Sequence, residues 1–96
     1  MDIDKLRKQA KKNREEAFQR SKDYCIEKID NEIYKAVEKG FFSVEVGVFT
    51  LISTMSKNGN VYNGVISEVI EHYTKQGFDV KFSSTFGMTI DWSEQN

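Results

Sequence analysis

The segment GFDVKFSSTFGMTIDWSEQN (residues 77–96) contains two runs in which apolar side chains occupy every second position. Such alternation is typical of β-strands with one buried face, and the small, turn-forming residues between the runs predict a hairpin. The apolar face of this hairpin has six members: Phe78, Val80, Phe82, Met88, Ile90 and Trp92. The polar side chains between them are expected on the opposite face: Asp79, Lys81, Thr89 and Asp91.

A further strand is predicted upstream, in FFSVEVGV (41–48). Its apolar residues alternate in the same way: Phe42, Val44, Val46 and Val48. Glu45 lies on the other face, so it joins the polar side chains of the hairpin in a patch with charges of both signs. We interpret this patch as an open sheet face, either simply solvated or a binding surface.

Two segments after this strand are less definite. FTLISTM (49–55) is compatible with a continued strand or with an apolar connection. Asn58-Gly59, in SKNGN (56–60), marks a break and suits a tight hairpin turn.

Two helices are predicted. Residues 3–39 contain neither proline nor glycine and are rich in helix-forming residues, with Asp2 or Asp4 as the N-cap and Gly40 at the C-terminal cap. In 60–76, apolar pairs recur every fourth residue, and Gly77 ends that helix. Gly64 inside the second helix suggests a close approach to another backbone.

The order of elements, α-β-α-β-β, predicts an α+β fold. A right-handed crossover through the second helix makes the first two strands parallel. The third strand then inserts between them, which gives a three-stranded sheet of order 1-3-2 covered on one face by helices. We expect residues 23–96 to form a single α+β domain and residues 1–22 to form a basic helical arm continuous with it.

Composition sets limits on the class of protein. The chain has 96 residues, of which 39% are hydrophobic, so one domain with a real core is expected. Its single cysteine, Cys25, forms no internal disulfide, which favours a reduced, cytoplasmic setting. No apolar run approaches the ~20 residues that span a bilayer, so we expect a soluble protein without a membrane partner.

The net charge of −1 conceals an asymmetry. Residues 1–22 contain eight basic and four acidic side chains, whereas residues 23–96 contain six basic and eleven acidic ones. The arm is therefore basic and the domain acidic. The basic side chains of the arm cluster within ten residues: Lys5, Arg7, Lys8, Lys11, Lys12 and Arg14.

Three interpretations of the basic cluster remain open: a solvated helix face, a site for nucleic-acid phosphates, or a site for an acidic protein surface. Phosphates would favour such a cluster through release of counterions. Phe18 is the only aromatic residue before Tyr24, whereas nucleic-acid binders usually add aromatic side chains for stacking.

Apolar residues of the long helix form two stripes. The stripe of the second half comprises Cys25, Ile26, Ile29, Ile33, Ala36 and Val37, and that of the first half Ile3, Leu6, Ala10 and Ala17. At ~100° per residue the stripes point more than a quarter-turn apart. The helix therefore either bends near 20–23 or turns its first half toward something outside its own domain.

We interpret the first stripe as a partner-binding surface. Together with Tyr24 its spacing resembles a heptad seam interrupted by Asn13 and Arg20, which makes a homo-oligomer possible. A long helix with little to bury frays in water, so a protein partner is expected.

Catalytic and ligand-binding motifs are weak. His72, the only histidine, has Glu68 one helical turn before it, and Cys25 lies on the apolar stripe, where burial is expected. KNGNVYNG (57–64) does not meet the phosphate-loop pattern. We therefore predict no catalytic residue, no cofactor and no metal, with a ligand pocket or active site near Glu68, His72 and Tyr73 as a lesser alternative.

The second half of the chain resembles small bacteriophage-encoded α+β proteins, most of which have no assigned activity. Three features carry the resemblance: a helix that ends at Gly77-Phe78, a strand at 80–82, and a hairpin that closes with Ile90-Asp91-Trp92. The junction EKGFFSVEV (38–46) is similar too. The resemblance implies a viral origin, and a location in the host cytoplasm or the virion.

The residues and the resemblance together predict a non-enzymatic protein-interaction module. It would bind a host factor or act within a viral assembly, with the arm and the open sheet face as contact surfaces. A nucleic-acid-binding protein that uses the basic arm is the alternative.

Overall fold

The computed structural model describes residues 1–56 and 62–94. The elements are, in chain order, α1 (Ile3–Glu38), β1 (Ser43–Gly47), α2 (Val48–Ser56), α3 (Tyr62–Lys75), β2 (Asp79–Ser83) and β3 (Gly87–Asp91). The protein is thus α+β with a long N-terminal helix, as predicted. The proposed turn at Asn58-Gly59 lies outside the described residues.

The three strands form one sheet of order β1-β3-β2, and β3 is antiparallel to both neighbours. Consequently β1 and β2 run parallel, and the predicted order is confirmed. The register places two rows of apolar side chains on one face: Val44, Ile90 and Val80, then Val46, Met88 and Phe82. We call the sheet together with α2 and α3 the body.

The first strand is shorter than its alternation predicted. β1 ends at Gly47, and Val48 begins α2 instead of extending the apolar face of the strand. Phe42 precedes the strand and is exposed, although its carbonyl oxygen accepts a hydrogen bond from the Trp92 backbone at 2.9 Å. The ambiguous segment 49–55 belongs to α2, which buries Leu51 in the core while Phe49 faces solvent.

The helix ends follow the predicted caps. The Asp2 carboxylate accepts hydrogen bonds from the backbone of Asp4 at 3.0 Å and of Lys5 at 3.4 Å. At the C-terminus of α1, the backbone N–H of Phe41 donates to the carbonyl oxygen of Ala36 at 2.9 Å. Gly40, just before Phe41, has a φ of 79°. Gly77 (φ 100°) ends α3 in the same way, since the backbone N–H of Phe78 donates to the carbonyl oxygen of Tyr73 at 3.2 Å. Both ends are Schellman motifs, for which glycine is the favoured residue.

Helices α1 and α3 pack side by side and run in the same direction. Their contacts advance together along both chains, from the Phe18 ring against Gly64 to the salt bridge of Lys22 with Glu68 at 3.2 Å. A Cβ added at Gly64 would lie 2.9 Å from the Phe18 ring. Gly64 therefore permits a close approach, as expected, but to an aromatic side chain and not to a backbone.

Tyr73 forms the polar centre of the α1–α3 contact. Its side chain is buried, and its hydroxyl donates to the Asp30 carboxylate at 2.7 Å, with the carbonyl oxygen of Ile26 at 3.0 Å. Around it lies one apolar cluster drawn from α1, α2, α3 and the sheet: Cys25, Ile29, Ile33, Val46, Leu51, Val65, Val69, Met88 and Ile90. The core thus sits between the helices and one face of the sheet.

Substitution of Gly87 by alanine is expected to destabilise the fold strongly. Gly87 has φ 112°, and an added Cβ would overlap the Val46 carbonyl oxygen on the neighbouring strand. A strained backbone together with this overlap costs about 2–4 kcal/mol of unfolding free energy. Gly47 faces Gly87 directly in the register and has open space around it, so Gly47→Ala is the matched control. Urea titration measures both, and equal stabilities would contradict the assigned strand register.

Substitution of Tyr73 by phenylalanine tests the buried hydrogen bond to Asp30. The variant removes the donor from a partly buried carboxylate, which is expected to cost about 1–3 kcal/mol. Tyr34 lies on the same helix as Asp30 and is exposed, so Tyr34→Phe should change stability by less than ~0.5 kcal/mol. Thermal unfolding compares the two. A Tyr73→Phe variant as stable as Tyr34→Phe would show that the hydroxyl contributes nothing.

Candidate interaction surface

The first sixteen residues project from the body. Every residue from 1 to 16 is exposed, whereas Phe18 already packs against the core cluster. Residues 3–16 of this stretch are helical, and at ~1.5 Å per residue they extend α1 by roughly 21 Å. The molecule accordingly measures 60 × 23 × 23 Å. We call residues 1–16 the projecting segment.

Several features keep the projecting segment helical. Asp2 caps its start, the Gln9 side-chain amide donates to Asn13 at 2.8 Å, and Arg7 lies 3.8 Å from Asp4. Forming the first turn is the costly step for an isolated helix. Here the packed second half of α1 supplies that nucleus, so the projecting segment only extends a helix that already exists.

The predicted partner-binding stripe faces solvent in this structure. Ile3 is 61% exposed and Leu6 51%, Ala10 is exposed, and Ala17 is partly buried near the first contact with the body. α1 is continuous from Ile3 to Glu38, including 20–23, where a bend was one alternative. The exposure of Ile3 and Leu6 agrees with the alternative in which the first half faces away from its own domain.

All six residues of the basic cluster lie in the projecting segment and are exposed: Lys5, Arg7, Lys8, Lys11, Lys12 and Arg14. Three of them, Arg7, Lys11 and Arg14, lie on the same side of α1 as Phe18 and Cys25, which pack on the body further along the helix. The basic face therefore overhangs the end of the body. Within the described part of the chain, the ion pair of this cluster is that of Arg7 with Asp4.

The side chains of the predicted polar patch lie on one face of the sheet, as the strand register shows. Glu45, Thr89 and Lys81 form one row across the three strands. In the next row Asp91 lies opposite Asp79. This face is the one turned away from the core, so its side chains lie at the surface.

Asp91 is held in its charged form. The hydroxyl and backbone N–H of Ser93 donate to its carboxylate at 2.6 and 2.7 Å, and these bonds, with the charge of Lys81, lower the pKa of Asp91. The two acidic side chains of this row stand beside a shallow groove that is also lined by Phe78 and Trp92. The groove lies at the edge of the open sheet face.

Of the three residues of the alternative pocket, Glu68 and His72 line one groove together with their hydrogen-bond partners, and Tyr73 does not. Glu68 pairs with Lys22 at 3.2 Å, and the His72 ring bonds to the Gln76 amide at 3.0 Å. Tyr73 points into the core, where burial and the Asp30 carboxylate raise the pKa of its hydroxyl. Glu68 and His72 therefore share one groove on the outer side of α3, whereas the Tyr73 side chain lies in the core and does not reach it.

Cys25 and the potential metal ligands are the remaining candidates for chemistry. Cys25 is fully buried, and burial raises the pKa of its thiol to about 11, which suits a core residue and not a nucleophile. Across residues 1–56 and 62–94, no group of three histidine, cysteine or acidic side chains is placed to hold a metal ion. Among the helices so described, none is both long and apolar enough to cross a membrane.

Three exposed aromatic side chains were not predicted from the sequence. Phe86, in the loop between β2 and β3, and Phe49, at the start of α2, point outward, as does Tyr34 on α1. Phe86 lies in a loop without periodicity, which gives no signal for its direction, and Phe49 falls outside the helical spacing of Val48, Leu51 and Ile52. Tyr34 does follow the three- and four-residue spacing that begins at Ile3, so an extended count of that spacing identifies it.

Comparisons of the chain with models of protein families, with curated proteins and with solved structures found no match. The assignment of a function to these surfaces therefore rests on their own geometry and chemistry.

Proposed function

We propose that this protein is a non-enzymatic protein-interaction module that binds a partner protein through the projecting segment. The observation that supports this proposal is an exposed helical extension, residues 3–16, that carries large apolar side chains away from the core. An exposed Ile3 and Leu6 gain free energy when a partner removes them from water. The open sheet face offers a second, polar contact surface.

The geometry favours binding of this segment as a preformed helix. Its backbone is already ordered by the cap and by the packed half of α1, so little conformational entropy is lost on association. Amphipathic helices commonly bind by laying their apolar stripe into a groove of the partner. The resemblance to bacteriophage proteins makes a host protein or a component of the virion the expected class of partner.

Nucleic-acid binding is the second candidate function. It is favoured by the exposure of the whole basic cluster on one overhanging face, where a phosphate backbone would meet several cations at once. The two candidates use different sides of the same helix. Variants that alter one side without the other therefore distinguish them.

The protein-binding function is tested with two matched double variants. Ile3→Ser with Leu6→Ser removes the apolar stripe, whereas Lys8→Ser with Lys12→Ser alters the basic face of the same two turns. Loss of two interface anchors is expected to weaken partner binding roughly tenfold or more, and the lysine variant should bind as the wild type does. The measurement is affinity purification from the native host, followed by titration of the recovered partner.

Circular dichroism is the control for this pair, because all four side chains are exposed and both variants should keep the wild-type helix content. Equal partner recovery by the two variants would refute the assignment of the apolar stripe as the contact surface.

The nucleic-acid function predicts a steep dependence of binding on salt. Reversal of Lys8, Lys11 and Lys12 to glutamate should abolish binding of a labelled oligonucleotide in a fluorescence anisotropy titration, since each lost phosphate contact reduces the salt slope by roughly one. A triple reversal of Lys39, Lys75 and Lys81 changes the net charge equally but lies outside the basic cluster. Binding that is insensitive to salt, or lost equally in both triple variants, would exclude a specific role of the cluster.

A further inference from the structure

The outward side of α1 carries a heptad spacing along its entire length. Starting at Ile3, steps of three and four residues lead through Leu6, Tyr24 and Tyr34 to Glu38, and the members of this series define positions a and d. Tyr24 is 49% exposed and Tyr34 67%, so the seam formed by these positions stays accessible where α1 packs on the body as well as in the projecting segment. The apolar stripe is therefore the first part of a longer seam.

The body binds the other side of the same helix. Phe18 and Cys25 occupy position b, Ile33 position c and Ile29 position f, and all four belong to the core or pack against it. The body reaches the flanks of the seam at Ser21, which is buried, and at Asp30, which accepts from Tyr73. The folding contacts and the seam thus use different sides of α1.

Charges flank the seam with opposite signs on its two sides. Position g carries acidic side chains at Asp2, Glu16, Asp23 and Asp30. Position e carries basic side chains at Arg7, Arg14, Lys28 and Lys35. In a parallel two-stranded coiled coil, each g residue faces the e residue five positions further along the second helix, whereas an antiparallel pair sets e against e and g against g.

We propose that the partner at this seam is a second copy of the chain, paired through α1 in a parallel, in-register coiled coil. In this arrangement Asp2 faces Arg7 of the second copy, Asp23 faces Lys28, and Asp30 faces Lys35. Antiparallel pairing would instead bring like charges together. The inference deepens the proposed function, since it rests on the seam being a protein-binding surface and names the protein that it binds.

The composition of the seam indicates a weak dimer. Arg20, Glu27 and Glu38 stand at seam positions where large apolar residues give the most stability. Asn31, at position a, costs stability but fixes register and strand number. The dimer therefore forms in a concentration-dependent way, and its charge pairs decide its orientation. The basic side chains at b, c and f of the projecting segment remain uncovered on both copies.

Sedimentation equilibrium with a charge swap tests this proposal. Asp23→Lys and Lys28→Asp each place like charges opposite one another, at two symmetry-related sites, and each should weaken dimerisation roughly tenfold. The double variant restores opposite charges and should recover wild-type dimerisation. Lys8→Asp makes the same charge change at position f, on the other side of the helix, and should leave the dimer unaffected.

Disulfide trapping tests orientation and register. Asn13 lies on the seam at position d, so Asn13→Cys should link two copies readily on mild oxidation, because in-register d positions bring the Cα atoms within reach of a disulfide. Lys8→Cys, at position f, should not link. The wild-type chain is the background control, since its own thiol at Cys25 is buried.

Three outcomes overturn the proposal: a monomer from micromolar to near-millimolar concentration, a charge swap without recovery, or equal linking at Asn13→Cys and Lys8→Cys. A strictly monomeric chain whose binding of a host protein still depends on Ile3 and Leu6 would leave the proposed function intact while removing the second copy as the partner. A chain that neither dimerises nor binds through these residues would remove both.

Discussion

The contact between α1 and α3 determines where the other elements lie. It begins with the Phe18 ring on Gly64 and ends at the hydroxyl of Tyr73, which joins α3 to Asp30 and to the backbone at Ile26. Because the two helices run in the same direction, the strand that follows each of them runs back in the same direction too. β1 and β2 are therefore parallel, and an antiparallel β3 fits between them. On the N-terminal side of this contact, α1 leaves the body and its side chains are exposed.

The sheet could be predicted from sequence because alternation records burial directly. In a sheet with one buried and one solvent-exposed face, a shift of a strand by one residue would expose all its apolar side chains. The alternation therefore restricts the register in which the strands pair. The pattern was less reliable at its ends. Val48 continued the alternation but begins α2, because Val48, Leu51 and Ile52 also follow the three- and four-residue spacing of a helix, so this short stretch fits both patterns. Phe42 lies just outside the strand, where its side chain is exposed.

The two apolar stripes of α1 were predictable from the sequence, whereas the buried hydrogen bond between Tyr73 and Asp30 was not. The angle between the stripes follows from helix geometry alone and left two alternatives, a bend near 20–23 or a first half that faces away from the domain. The exposure of Ile3 and Leu6 in the structure agrees with the second. The bond between Tyr73 and Asp30 joins two helices across 43 positions of the chain, and neither residue has a local pattern that points to the other. Gly64 gave a correct signal of close approach, but the approaching group, the Phe18 ring, could only come from the tertiary structure.

The continuity of α1 has a consequence for how such a chain can diversify. Since α1 is one unbroken helix on either side of Ala17, the direction of everything upstream is set by residue count. Insertion or deletion of a single residue just before Phe18 would swing the exposed stripe by about 100° around the helix axis and shift it by about 1.5 Å, while the packed core kept every contact. Changes in helix length at this one place would thus turn the exposed stripe toward a different binding partner without altering how the protein folds.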